Sequence, residues 1–99
     1  MYGTVATLRV RPGQEQGVRD YVAGWVRDRK PQTPGAVGGY VYQLDADPGT
    51  WIFAVAFADK ESYVANAQSP TMDADYRHLR ALLEADPVWQ DGEIVAQFQ

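Results

Sequence analysis

Hydrophobic positions follow two different periods along this chain. From Tyr2 to Arg11 they alternate. Ala6, Leu8 and Val10 fall on one side and Val5, Thr7 and Arg9 on the other, the two-residue period of a strand. Pro12-Gly13 interrupts it. From Gln14 to Lys30 the period lengthens. Val18, Tyr21, Val22, Trp25 and Val26 recur at i, i+3, i+4, i+7 and i+8, which is one face of a helix. Pro31 and Pro34-Gly35 close that helix. Ala36 to Leu44 reads as a second strand. Its Gly38-Gly39 pair suits either a bulge near a ligand or a bend of the sheet. Asp45 to Gly49 has turn composition and joins it, as a hairpin, to Thr50–Phe57.

That third strand, TWIFAVAF, is apolar on both faces. Trp51, Phe53, Val55 and Phe57 point one way, and Ile52, Ala54 and Ala56 the other. Asp59 then caps a short helix from Lys60 to Gln68. Ser69-Pro70, a cap followed by a first-turn proline, opens another. Met72, Tyr76, Leu79 and Leu83 form its stripe, and Asp86-Pro87 ends it. A turn at Asp91-Gly92 predicts a last strand from Glu93 to Phe98.

The order is β-α-β-β-α-β across residues 1–99, a single domain of α+β class with the ferredoxin-like arrangement. All helices then lie on one face of a four-stranded antiparallel sheet. One side of TWIFAVAF packs beneath them, and nothing in the chain covers the other. Exposing those side chains forgoes about 1.5–3 kcal/mol apiece. The expected cover is the same face of a second copy, giving a homodimer.

Composition narrows the chemistry. The 99 residues include no cysteine and one histidine, His78, which excludes a thiolate metal site and argues against a histidine-rich one. The net charge is −4 with no basic run, a poor match to nucleic acid. No apolar run approaches the ~20 residues of a membrane span. MYGTVATLRV lacks the charged-then-apolar layout of a secretory leader, so a cytoplasmic, bacterial protein is expected. Motifs for nucleotides, zinc hydrolysis and serine nucleophiles are missing: GxGxxG, the P-loop, HExxH, CxxC and GxSxG.

The segment Phe57-Ala58-Asp59-Lys60-Glu61-Ser62-Tyr63-Val64-Ala65-Asn66-Ala67-Gln68-Ser69-Pro70 resembles the strand-to-helix signature of the antibiotic biosynthesis monooxygenase family. The pattern is an aromatic strand end, an acid-capped short helix, a small-residue–Asn pair and Ser-Pro. The resemblance implies a dimeric α+β barrel. It further implies a cofactor-independent monooxygenase acting on a small aromatic quinol or phenol. Tyr63 falls where some quinol oxygenases have a functional tyrosine, and Asn66 where many members have His or Asn. Arg80 lies near a substrate-contacting arginine of the later helix, a place for which Arg77 competes. Phe57 and Phe53 stand where several active relatives have Trp and Asn. Haem degradation does not fit: Asn66 occupies the Trp position, the first strand has no Asn, and His78 is offset from the ligand position.

Such an oxygenase needs a dry aromatic cavity and donors that hold a phenolate. Tyr63 and Asn66 are the candidate catalytic residues, and Trp25, Tyr76 and Arg80 the candidate substrate-binding ones, with no cofactor and no metal. All but Asn66 have a plainer reading. Tyr63 and Tyr76 suit core aromatics with surface hydroxyls, Trp25 suits core packing, and Arg80 suits a surface ion pair. His78 lies about 120° from the Met72 stripe at 100° per residue, a rim position. Trp89 suits either a pocket cap or an interface. A non-catalytic binding or structural dimer is the alternative function.

Overall fold

The computed structural model describes residues 1–98. Four strands, β1 (Tyr2–Arg9), β2 (Ala36–Gln43), β3 (Thr50–Phe57) and β4 (Val88–Glu93), form one antiparallel sheet in the order β2-β3-β1-β4. The helices α1 (Glu15–Gly24), α2 (Lys60–Ala67) and α3 (Pro70–Arg80) complete the ferredoxin-like α+β arrangement.

Register assigns the two faces of TWIFAVAF. Ala6 lies opposite Phe53 and Leu8 opposite Trp51, and all four are buried in one cluster with Val10, Val18, Leu79 and Leu83. The aromatic face is therefore the inner one. Ile52 and Ala54, opposite Thr7 and Val5, belong to the open face. The core is sealed at the hairpin turn. Trp51 donates its indole N–H to the Pro48 carbonyl at 3.1 Å, and Arg9 bonds both Asp47 and Thr50. The Thr50 hydroxyl, ahead of the arginine, holds the Asp47 carboxyl below the usual carboxylate range.

Three elements depart from the sequence expectation. The first helix does not run evenly to Lys30. Its α portion ends at Gly24, and Trp25–Arg29 form a π-helical turn followed by a 3-10 turn over Lys30–Gln32. Lys30 N–H bonds the Trp25 carbonyl, five residues back. Pro31 accounts for this: it has no N–H, and its ring crowds the carbonyl one turn earlier. The shifted turn leaves Val26 exposed rather than on the apolar face.

The last strand is Val88–Glu93 rather than Glu93–Phe98. Asp91-Gly92 does not turn, because these residues pair with Thr4 and Gly3 along the free edge of β1. Finally, α3 stops at Arg80, and Leu83 reaches the core through a bridge to Val10.

The Gly38-Gly39 pair sits at a register shift in β2, a bulge at the sheet edge. A Cβ on Gly39 would stand 2.0 Å from the Ala54 carbonyl oxygen, so close strand approach excludes a side chain there.

Candidate functional site

Helix α2 carries both Tyr63 and Asn66. Its start and that of α3 are fixed locally. Asp59 accepts from Ser62 N–H at 2.8 Å and Ser69 accepts from Met72 N–H at 3.0 Å, each an N-cap bond. The Ser62 amide lowers the Asp59 carboxyl from its usual range. Gly35, at φ +81°, lets the loop before β2 pass against α2: its carbonyl accepts from Ala58 N–H at 2.7 Å.

These contacts shape a cleft of about 270 Å³ between that loop, α2 and the start of α3. Trp25 and Asn66 both line it. Around them stand the hydroxyl residues Thr33, Ser62, Ser69 and Thr71. Arg29 and Asp75, from the π turn and α3, also line it.

A second cleft, about 440 Å³, shares those two residues and Trp25 in its lining. It is lined by Tyr21, Trp25 and His78 together with Asp20, Asp28 and Asp75. Tyr21 and His78 stack, with ring centroids 6.0 Å apart and planes 16° apart. His78 is exposed, a rim residue of this cleft. Burial first, and then the Asp75 charge, push the Tyr21 phenol up to about 12.

Tyr63 is directed elsewhere. Its hydroxyl donates to Asp91 Oδ1 on β4 at 2.8 Å, and its ring packs on Phe57 and Tyr2 at 5.5 and 5.3 Å. Burial, followed by the bond to Asp91, pushes its pKa up to about 12. The Thr4 hydroxyl lies near enough to favour the ionised phenol, yet its geometry falls short of a hydrogen bond and its oxygen is buried without a partner.

Arg80 donates to Asp86 at 2.7 Å and to the Leu83 carbonyl at 3.0 Å. It thereby fastens the turn after α3. Tyr76 is half-buried on α3. Trp89 lies opposite Ala6, on the helix side of β4, and is partly exposed.

The fold thus brings Trp25 and Asn66 to one cleft, while Tyr63 and Arg80 hold partners outside it. Arg29 and Asp75 escaped the sequence reading. Arg29 had one available signal: it follows Trp25 by four residues on the same predicted helix. Asp75 had none, since its partner lies 46 residues away. Among the described residues, no group of three or more His, Cys, Asp or Glu side chains is placed to hold a metal.

Residues 1–75 match the family model of the antibiotic biosynthesis monooxygenases. The chain belongs to that family. Solved structures share the fold across almost the whole chain. A candidate antibiotic biosynthesis monooxygenase from Deinococcus radiodurans superposes with a TM-score of 0.79 at 14% identity, covering 100% of this chain and 97% of its own. One from Bordetella bronchiseptica gives 0.79 at 17%, covering 96% and 97%. A Nitrosomonas europaea protein of unknown function gives 0.77 at 21%, covering 99% and 92%. At these identities the likeness is one of fold. A search of curated proteins finds no match. Family membership and fold agree with the resemblance read from Phe57–Pro70. No helix of the described chain is long and apolar enough to cross a membrane.

Proposed function

We propose that this family member is a cofactor-independent monooxygenase of a small aromatic quinol or phenol. One observation carries the reading: Trp25 and Asn66 share a cleft ringed by neutral hydroxyl side chains. Trp25 offers a flat apolar surface for a planar ring. The Asn66 amide can donate to a phenolate oxygen.

The substrate supplies the electrons. Ionisation of the phenol makes the ring electron-rich enough to reduce oxygen. At an anthrone-type ring carbon, two C–H bonds are replaced by one C=O bond. One oxygen atom of O2 enters that carbonyl. The other leaves as water with the two hydrogens. The ring carbon is oxidised by four electrons, and both oxygen atoms are reduced.

The test is oxygen uptake and quinone absorbance with metal-stripped protein and a panel of anthrones and dihydroxynaphthalenes. Turnover that survives chelator supports the oxygenase. A rate no higher than buffer across the panel favours a non-catalytic binding dimer. Turnover that depends on added iron or flavin overturns the cofactor-free mechanism.

A further inference from the structure

The two clefts share three lining residues, Trp25, Arg29 and Asp75. Trp25 belongs to both, and Arg29 with Asp75 forms an ion pair that lines both. Arg29 Nε stands 3.2 Å from Asp75 Oδ2, and its Nη2 reaches Oδ1 at a long 3.4 Å. The pair is only partly shielded, with side chains 43% and 19% exposed. Partly exposed ion pairs are weakly held, because water competes for both partners. Arg29 also ends the π turn, where the backbone changes to a 3-10 turn. Single π turns recur at functional sites.

Size makes the shared ion pair matter. At about 270 Å³ the Asn66 cleft falls below the roughly 300–1,000 Å³ of ordinary small-molecule sites. It suits a single ring. The neighbouring cleft adds about 440 Å³ and a second aromatic wall, the stacked Tyr21–His78 pair.

We propose that the Arg29–Asp75 ion pair is a removable partition, and that its opening joins the two clefts into one trough for a fused, polycyclic phenol. This rests on the oxygenase reading for the ligand class, but not on turnover. Opening leaves the half-buried Asp75 carboxylate without its guanidinium, which is unfavourable unless another donor arrives. A phenolic hydroxyl of the ligand is that donor. Arg29 and Asp75 are therefore specificity-determining residues: they admit a long ligand only if it carries a hydroxyl where the partition stood.

Binding to intact protein, read by calorimetry, tests this with three probes: hydroquinone, 1,8-dihydroxyanthrone and its dimethyl ether. Arg29→Ala removes the partition. It is expected to tighten binding of the dihydroxyanthrone about three- to fivefold, the scale of a partly exposed ion pair, and to leave hydroquinone within about twofold. Arg29→Lys retains the charge and is expected to behave as the unmodified protein. In the unmodified protein the dimethyl ether, lacking the donor, is expected to bind at least about fivefold more weakly than the dihydroxyanthrone.

Equal changes for the one-ring and three-ring probes in Arg29→Ala would overturn the partition. So would three-ring binding that ignores the ether substitution, or no three-ring binding to any of these proteins. Discrimination by Arg29→Ala without turnover upholds the partition and rejects the oxygenase. Turnover without discrimination does the reverse. Matching thermal unfolding of the variants ensures that folded proteins are compared.

Discussion

Asn66 and Tyr63 stand three residues apart on α2, and the fold uses them differently. Asn66 lines the cleft with Trp25, whereas the Tyr63 hydroxyl is held by Asp91. If Asn66 stabilises a phenolate, Asn66→Ala is expected to cut kcat by about tenfold or more, the worth of a hydrogen bond to a charged oxygen. Tyr63→Phe should leave kcat within about twofold, since a donor already bonded to Asp91 is not free for a ligand. A tenfold loss in Tyr63→Phe with Asn66→Ala unaffected would move the reaction to the Tyr63 side of α2. The tyrosine carries a second signature. Its folded pKa of about 12 lies above the ordinary 10, so folding favours the neutral phenol. Tyr21 behaves likewise. Their stabilising contributions are complete below pH about 10 and are lost as pH rises through about 12. Urea midpoints across that alkaline range are expected to fall, and to fall less in Tyr63→Phe. An identical alkaline slope in the variant would show that Tyr63 is not linked to stability.

At the scale of elements, what could be read from sequence was what local chemistry decides. The caps Asp59 and Ser69 declare α2 and α3 because a cap bond spans only a few residues. Ser69→Ala is accordingly expected to cost about 1 kcal/mol in urea unfolding. Gly35 is held by a different constraint. At φ +81°, with a Cβ that would stand 2.3 Å from Ser62 Oγ, Gly35→Ala strains the backbone and pushes on the cleft wall at once. A loss of about 1–3 kcal/mol is expected, larger than that of Ser69→Ala. A neutral result would mean that the loop and α2 separate readily. Misreadings arose where a distant element decides. Asp91-Gly92 has turn composition, yet the free edge of β1 draws it into pairing. The stripe from Val18 to Val26 also fits one helix, but there the cause is local: Pro31, without an N–H, converts its end to a π turn and turns Val26 outward. The same turn carries Arg29, whose partner Asp75 is fixed only by the packing of α3. Trp25 and Asn66 could be named from sequence as pocket residues, whereas the Arg29–Asp75 pair depends on tertiary placement.

For the whole molecule, the open face of the sheet is the uncovered surface. Register places Val5, Tyr40, Tyr42 and Val88 there, around Ile52 and Ala54. Tyr40 is 74% exposed, Val88 60%, Tyr42 52% and Val5 44%. All four strands contribute, so the apolar surface is a continuous face rather than isolated side chains, and such faces mark interfaces. The helices cannot reach it, because they lie on the opposite side. A second copy presenting the same face would match apolar surface to apolar surface and close with two-fold symmetry. The exposed Val95 and Phe98 beyond β4 add further apolar area to a single copy. Sedimentation at micromolar concentration is therefore expected to give about twice the 11.0 kDa chain mass. Val5→Asp is the discriminating variant. Val5 sits on a central strand but points away from the core, so the charge leaves the subunit's interior intact while placing a charge on the apolar face of each copy. Monomers that keep native circular dichroism are expected. If the unmodified chain sediments at its own mass, the open face does not hold two copies together. If Val5→Asp remains dimeric, the copies associate through another surface, and the apolar face needs a different partner.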